Sequence, residues 1–294
     1  MTNFDDIFNN TTTETQGTQY SKEEYAAMKK AEREELYSLS DRTAMEVAGD
    51  SGRFKQYLDT QARFGRYSVV NTLLIMAQKP EAKQVADLEY WNSKGSAAKK
   101  GEKAFAILVP YDYEKDDGTT GYGFNAKKVF DISQMDADEV KSVPAQTYDN
   151  RQILTALVDK APVKITAVDE LPGDFGAVTN PDTGEIQVRK GMEFADIFRS
   201  VAQELARADL ATSPDTQVNS DFSAYCASYI LCKTHGVDTR EFNFEGACEV
   251  LGGMDAREIK GELSQIRDTA NNISGRMAQQ LRAMNAPARN TEAR

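Results

Sequence analysis

The chain of 294 residues is long enough for two hydrophobic cores, and its charged fraction of 28% is that of a globular protein. Its net charge of -11 argues against a protein that coats nucleic acid along its whole surface, although a local basic patch stays compatible with it. No apolar run approaches the roughly 20 residues that span a bilayer, and residues 1–20 lack the pattern of a signal peptide. We therefore expect a cytoplasmic protein with no membrane partner and with reduced thiols at Cys226, Cys232 and Cys248.

Helices followed by a small antiparallel sheet are predicted for the first half of the chain. Residues 1–20 are polar and predicted to be disordered, and Ser21 and Glu24 have the spacing of a capping box that opens a helix over 22–36. Apolar residues then recur at helical spacing between residues 54 and 77. A buried strand over 104–109, a turn at Asp116-Asp117-Gly118 and a returning strand over 122–132 complete this part. The pattern is typical of the α+β class.

The second half is predicted to begin after an acidic linker at 136–148. A helix and a strand are predicted over 151–160 and 163–166, and a second hairpin turns at Asn180-Pro181-Asp182-Thr183-Gly184, where Pro fixes φ and Gly accepts a positive φ. Three further helices are predicted over 194–210, 221–234 and 255–284. The predicted divisions of the chain are 1–20, 21–135, 136–148, 149–250 and a C-terminal helix and tail at 251–294.

The segment Gln203-Glu204-Leu205-Ala206-Arg207 occupies a helical stretch where a zinc peptidase carries H-E-x-x-H. In that motif two histidines on one helix face bind Zn²⁺, and the glutamate activates the metal-bound water. Here Gln203 and Arg207 replace both histidines, and His235 is the only histidine of the chain, so one copy cannot form a two-histidine site. We predict no metal, no cofactor and no catalytic residue. The alternative is that Gln203 to Arg207 is an ordinary helical pentapeptide, in which Glu204 is structural or faces solvent. His235, near a helix end, is expected to interact with the helix dipole rather than to bind a metal.

A first block of motifs resembles the N-terminal single-stranded-DNA-binding domain of ArdC-type antirestriction proteins and of the LtrC-like proteins of conjugative elements. The resemblance depends on the order and spacing of six segments: Phe54-Lys55-Gln56-Tyr57-Leu58, Arg66 to Ile75 with its Tyr-Ser-x-x-Asn, Gln78-Lys79-Pro80, Trp91, Lys99-Lys100-Gly101-Glu102-Lys103 and Val129-Phe130-Asp131-Ile132-Ser133-Gln134. It implies a DNA-binding domain at 21–135.

A second block looks like the zinc peptidase domain that follows in such proteins, here at 149–250. It comprises Gly184-Glu185-Ile186, Phe198 to Ala206, Ser228 to Lys233 and Gly236 to Thr239. The resemblance implies histidines at the positions of Gln203 and Arg207 and a third, carboxylate ligand at the position aligned with Tyr225. All three are changed, which implies a peptidase fold without its metal. A slip of a few residues would bring Asp221 to the third position instead.

The residues of the first domain are compatible with nucleic-acid binding. Between residues 51 and 110 ten basic and five acidic residues give a charge of roughly +5, against -11 for the whole chain. Single strands are held by cationic grooves and by aromatic rings that stack on bases. The predicted binding residues are Arg53, Arg63, Arg66, Tyr67, Asn71, Trp91, Lys99, Lys100 and Lys103. Six of them have a structural alternative: Tyr67 and Trp91 as core residues, Asn71 as a local hydrogen-bonding residue, and the three lysines as part of a solvated loop.

Three functions are weighed against these sequence features. The leading one is a non-enzymatic antirestriction protein of a mobile element, which binds single-stranded DNA and shields entering DNA from host defence. The second is an acidic inhibitor that binds a host defence nuclease directly, and the net charge of -11 supports it. The third, an active metallopeptidase with unusual ligands, is disfavoured by the missing histidines.

Overall fold

The computed structural model describes residues 21–115, 117–136, 147–212 and 220–285. The segment predicted to be disordered (1–20), most of the predicted linker (137–146) and the end of the C-terminal tail (286–294) lie outside the described residues. Helices and two small sheets make up the described part, so the predicted α+β class is confirmed.

Four helices and three strands form the first part of the fold. The helices are α1 (Lys22–Gly49), α2 (Ser51–Arg63), α3 (Val69–Gln78) and α4 (Leu88–Ser93). The strands β1 (Val85–Ala86), β2 (Phe105–Glu114) and β3 (Thr120–Asp131) form an antiparallel sheet in the order β1-β3-β2. A 3-10 turn at Ile132–Gln134 follows β3.

Helix α1 begins at the predicted capping box but is longer than predicted. The Ser21 hydroxyl and the Glu24 carboxylate each accept a hydrogen bond from the other residue's amide, which satisfies two donors of the first turn. The helix continues past residue 36 to Gly49 because a buried stripe of Leu36, Ser40, Thr43, Ala44 and Val47 recurs at helical spacing. Because two of these five positions are polar, the spacing of apolar residues alone does not predict this part of the helix.

The β2–β3 hairpin is buried at its base and largely exposed at its outer end. On one face of the base, Phe105 and Ile107 pack in a cluster with Phe64 and Ile75. On the other face, Ala106 and Leu108 pack against Leu36 of α1 and Leu74 of α3. Strand β2 then continues through Pro110 to Glu114, five residues beyond the predicted end, and these outer residues are half-buried or exposed.

The second part of the fold contains a mixed three-stranded sheet and five helices. Strands β4 (Ile165–Val168), β5 (Ala177–Thr179) and β6 (Ile186–Arg189) have the order β4-β6-β5, with β4 parallel and β5 antiparallel to β6. The antiparallel pair is the predicted second hairpin. The helices are α5 (Asn150–Val158), α6 (Phe194–Ala211), α7 (Ser220–Thr234), α8 (Ala247–Leu251) and α9 (Ala256–Met284).

One hydrophobic core joins the two parts. Phe54 of α2 and Leu73 of α3 belong to the same buried cluster as Phe198 of α6, Tyr229 of α7 and Ile266 of α9. The Tyr229 hydroxyl also donates to an Asp59 carboxylate oxygen at 2.8 Å, from α7 to α2. The predicted domain boundaries stay predictions, but the burial at this junction stabilises both parts together.

Cys226 and Cys232 are free, fully buried thiols in this core, where they pack as small hydrophobic residues. Burial raises the pKa of both thiols, so they stay protonated. Within the described ranges, no helix is long and apolar enough to cross a membrane.

Candidate functional site

Helix α3 lies along the outer edge of β2 and closes it with two side-chain amides. The Asn71 amide nitrogen donates to the Leu108 carbonyl at 2.7 Å, and its oxygen accepts from the Leu108 amide at 2.9 Å. Gln78, two helical turns later, makes the same pair of bonds with Ala106, at 2.8 and 3.1 Å. These bonds replace a neighbouring strand on an otherwise open edge.

Asn71 therefore has a structural role, and the prediction that it contacts DNA is wrong, because both polar atoms of its buried side chain are engaged. Its partner in this role, Gln78, was missed as a site residue. The signal that could have identified it is the spacing of two amides seven residues apart on an apolar helix.

Trp91 is also a core residue. Its side chain is fully buried, and its indole N–H lies 3.2 Å from the Ala86 carbonyl and 3.1 Å from the Phe130 carbonyl, across the β1–β3 pair. A ring without exposed surface cannot stack on a base, so the prediction of DNA contact is wrong for Trp91. Tyr67 is half-buried: its hydroxyl donates to the Val85 carbonyl at 3.0 Å, and burial raises its pKa.

Asp131, within the Val129–Gln134 motif, organises the loops around the base of the hairpin. One carboxylate oxygen accepts hydrogen bonds from the amides of Lys83 (2.7 Å) and Gln84 (2.9 Å), and the other accepts from the Ser133 amide at 2.9 Å. Burial opposes ionisation of this carboxyl, but the bonds from Ser133, Gln84 and Lys83 outweigh it and lower the pKa of Asp131. The motif that carries the family resemblance is therefore a scaffold.

Gln134 and a left-handed glycine fix the basic loop, residues 99–103. The Gln134 carbonyl accepts from the Lys99 amide at 2.9 Å, and its side chain donates to the Glu102 carboxylate at 2.9 Å and the Lys103 carbonyl at 2.7 Å. Gly101 has φ +89°, a conformation that other residues rarely adopt. The Lys99 ammonium donates to the Ser133 carbonyl at 2.9 Å, while Lys100 and Lys103 are exposed on this fixed loop.

Further cations lie beside the basic loop. Arg63 donates to the Pro80 carbonyl at 2.8 Å, and the neighbouring Lys79 pairs with Glu81 at 2.8 Å. The hydrogen bond to Glu81 raises the pKa of Lys79, and the charges of Glu102 and Asp131 add to this shift. Lys83, whose amide is held by Asp131, has an exposed side chain. Lys79 and Lys83 were not among the predicted site residues.

The other two arginines have different surroundings. Arg53 pairs with Glu46 at 2.5 Å and donates to Gln56 at 3.0 Å, at the junction of α1 and α2. Arg66 is exposed, and the carbonyl of the preceding Gly65 accepts from Asn271 of α9 at 2.8 Å. Ser133 and Gln134 therefore hold the loop that carries Lys99, Lys100 and Lys103. The contacts of Arg53, Arg63 and Gly65, beside Arg66, are with other parts of the molecule.

In the second part, the Arg207 guanidinium lies between two carboxylates. It donates to Glu204, one turn earlier on α6, and its Nε donates to Asp221 of α7 at 2.8 Å. Glu204 also accepts from the amide and hydroxyl of Thr179 on β5, at 3.0 and 2.6 Å. Burial lowers the pKa of Arg207, but the bonds to Asp221 and Glu204 outweigh it and raise the pKa overall. This ion-pair cluster joins α6, α7 and β5.

A cation bound by Glu204 and Asp221 would have to displace the fixed positive charge of Arg207, which already pairs with both carboxylates. The partly buried Gln203 stands one residue before Glu204. Among the described residues, no group of three or more His, Cys, Asp or Glu side chains is arranged to hold a metal ion.

Tyr225 does not take the third position that the alignment gave it. Its hydroxyl accepts from the Asn243 amide at 2.8 Å, and its ring packs 4.9 Å from that of Phe242. The carboxylate that reaches Arg207 belongs to Asp221, one turn earlier on α7, as in the alternative alignment. Asp221 and Tyr225 are four residues apart on α7, and the two side chains have different partners because Tyr225 packs with Phe242 and Asn243 beyond the end of the helix.

His235 is a neutral, mostly buried residue rather than a charged partner of a helix dipole. Burial lowers its pKa to about 4, and its ring lies 6.0 Å from that of Phe198. The predicted dipole interaction requires an imidazolium ion, so that prediction is wrong.

Comparisons with known proteins agree with the motifs of the first part. Residues 40–150 match the family model described as the N-terminal domain of anti-restriction factor ArdC. An uncharacterized protein of Bacillus anthracis, pXO2-81, is 26% identical over 86% of this chain, which spans about half (53%) of that protein's length.

Two crystal structures of the antirestriction protein ArdC from the R388 plasmid also align with the chain. The metal-free structure has 16% identity and a TM-score of 0.49, over 72% of this chain and 86% of ArdC. The Mn(II)-bound structure has 15% identity and a TM-score of 0.47, over 73% and 85%. The match at residues 40–150, together with the motifs within it, shows that this part of the chain is similar to the N-terminal domain of the anti-restriction factor ArdC.

Proposed function

We propose that this chain is an antirestriction protein of a mobile genetic element that binds single-stranded DNA in the cytoplasm, and that its second part has no peptidase activity. The antirestriction role is supported by the ArdC-type N-terminal domain. DNA is the proposed partner, and the basic loop with its neighbouring cations is the proposed contact surface.

The fixed basic loop carries the DNA-binding part of this proposal. Three lysines within five residues stand on a loop whose backbone is held by Gln134 before a ligand arrives. A backbone that is already ordered loses little conformational entropy when phosphates bind. Lys79 and Lys83 extend the same surface. Trp91 and Asn71 are engaged in the fold and do not contact bases. We therefore propose that contacts with phosphates rather than with bases dominate DNA binding, which predicts little sequence preference.

Binding of a fluorescent 20-nucleotide single strand, measured by anisotropy at several salt concentrations, tests the DNA contact. The Lys99→Gln/Lys100→Gln/Lys103→Gln variant should bind more weakly, and its log–log salt slope should be smaller by about 2, since each phosphate contact on a single strand contributes about 0.7. The matched control is Lys160→Gln/Lys164→Gln/Lys190→Gln, three exposed lysines of the second part. An equal loss of affinity in both variants would contradict the assignment of the basic loop.

The absence of peptidase activity is supported by the position of Arg207. Because its guanidinium already pairs with Glu204 and Asp221, zinc would have to displace a paired, partly buried charge. Wild-type protein dialysed against zinc should retain far less than one ion per chain by mass spectrometry. The Gln203→His/Arg207→His variant should retain about one, because it restores two imidazoles beside Asp221. Stoichiometric zinc in the wild-type protein would overturn this part of the proposal.

A further inference from the structure

The outer part of the β2–β3 hairpin is an exposed aromatic arm, which we define as residues 110–115 and 117–124. Three of its rings are among the most exposed large apolar side chains of the described residues: Tyr122 is 77% exposed, Phe124 48% and Tyr113 44%. Monomeric proteins seldom expose several neighbouring aromatic rings unless these contact a ligand or partner. Neither the ArdC-type match nor the proposed DNA contact accounts for this surface.

Two glycines on β3 leave room for the tyrosine rings of β2 to lie flat across the strand pair. The strand register places Tyr111 opposite Gly123 and Tyr113 opposite Gly121. A Cβ atom on Gly121 would lie 2.5 Å from the Tyr113 ring, and one on Gly123 would lie 2.8 Å from the Tyr111 ring. The two rings are 5.8 Å apart and tilted by 38°, so they form one continuous surface. The glycines are thus needed for this arrangement.

The two faces of the arm both carry aromatic rings. Because side chains alternate along a strand, Tyr111 and Tyr113 lie on one face, and Tyr122 and Phe124 lie on the other, opposite Asp112 and Pro110. A surface that lies flat on a partner needs rings on one face only. Rings on both faces fit an arm that enters a groove.

The arm is acidic. Asp112, Glu114 and Asp117 are exposed on it, and Lys115 is its one basic residue. In the sequence from Pro110 to Phe124, four acidic residues and one basic residue give a net charge of -3. This field repels the phosphates of nucleic acid and attracts cations. The arm is therefore complementary to a basic partner, unlike the basic loop at the other end of the same strand.

We propose that the aromatic arm inserts into an arginine-lined groove of a partner protein, of the kind with which a nuclease holds DNA. Guanidinium groups stack on aromatic rings and pair with carboxylates, and the arm offers both within a few residues. Ammonium groups stack less well, because they are compact and strongly hydrated. The proposal does not depend on DNA binding by the basic loop.

Labelled nona-arginine and nona-lysine peptides, titrated into the full chain at low salt, test the chemistry of this arm. Nona-arginine should bind about tenfold more tightly than nona-lysine, since cation–π contacts add to equal Coulombic attraction. The Tyr122→Ser/Phe124→Ser variant should lose most of this preference. Asp112→Asn/Glu114→Gln/Asp117→Asn should weaken the binding of both peptides. The matched control is Glu170→Gln/Asp174→Asn/Asp182→Asn, three exposed acidic residues of the second part, which should bind both peptides as the wild type does.

Equal affinity for the two peptides would overturn the proposal, and so would an equal loss of binding in the control variant. A labelled single strand is titrated in parallel. If the Tyr122→Ser/Phe124→Ser variant loses single-strand binding instead, the arm is a base-stacking surface and the protein-groove proposal is wrong. Far-ultraviolet circular dichroism confirms that each variant is folded, and Tyr113→Ser provides an independent removal of one ring.

Discussion

The two ends of the β2–β3 hairpin differ in how tightly they are packed against the rest of the molecule and in their charge. At the base, the basic loop is fixed by Gln134 and Asp131 beside the buried Trp91. At the outer end, about 30 Å away for nine residue steps along β2, the aromatic arm is acidic and exposed. One strand pair thus connects a cationic surface to an acidic aromatic one. The two surfaces can therefore act independently, because they lie on one strand pair but have opposite charge and do not belong to one hydrophobic cluster.

The largest expected difference between the two ends concerns folding stability. Trp91→Ala should lower the free energy of unfolding by about 3–5 kcal/mol, because it removes a fully buried indole and leaves a cavity. Tyr122→Ala, in the arm, should change it by no more than about 0.5 kcal/mol. Urea denaturation followed by circular dichroism measures both. Similar losses in the two variants would mean that the arm is packed in solution.

A smaller difference is expected for one carboxylate at each end. Asp131→Asn should cost about 2 kcal/mol at pH 7, because the amide replaces a charged acceptor of three backbone hydrogen bonds. Asp112→Asn should change stability little, since Asp112 is exposed.

The pH dependence of the Asp131 contribution follows from its lowered pKa. The folded pKa lies below the unfolded value of about 3.9, so the stabilisation is fully present above that value and is lost as the pH falls through the folded pKa. The difference in unfolding free energy between wild type and Asp131→Asn should therefore shrink in acid. A difference that stays constant down to pH 2 would contradict this role for the Asp131 charge.

The smallest expected effects come from one glycine at each end. Gly101→Ala should cost about 1 kcal/mol by strain alone, because its φ is +89° and its Cβ position is open. Gly121→Ala should cost a similar amount by displacing the Tyr113 ring. The first change should weaken single-strand binding, and the second should weaken nona-arginine binding. Equal effects of each variant on both ligands, measured by anisotropy, would show that the two ends are coupled.

Features that depend on neighbouring residues could be predicted from the sequence. The capping box at Ser21 and Glu24 and the hairpin around residues 180–184 follow from local hydrogen bonds and backbone preferences. That one copy of the chain cannot form a two-histidine zinc site follows from composition, since His235 is the only histidine of the chain.

Features that depend on distant partners were predicted less well. Trp91 and Asn71 were assigned to DNA because aromatic and amide side chains have both core and binding uses, and only burial distinguishes them. The aromatic arm was missed, although its signal is present as two tyrosines spaced by one residue on β2 opposite two glycines with the same spacing on β3. That signal requires the strand register, which the turn alone did not provide.

The sequence by itself determined the α+β class, the helix caps and turns, the absent histidine pair and the basic stretch between residues 51 and 110. The tertiary structure decided which polar groups serve the fold. It paired Asn71 with Leu108, 37 residues away, and it brought Asp221 rather than Tyr225 to Arg207. The physical reason is that a buried polar group must find a partner wherever packing places one, and packing depends on how whole helices and strands meet.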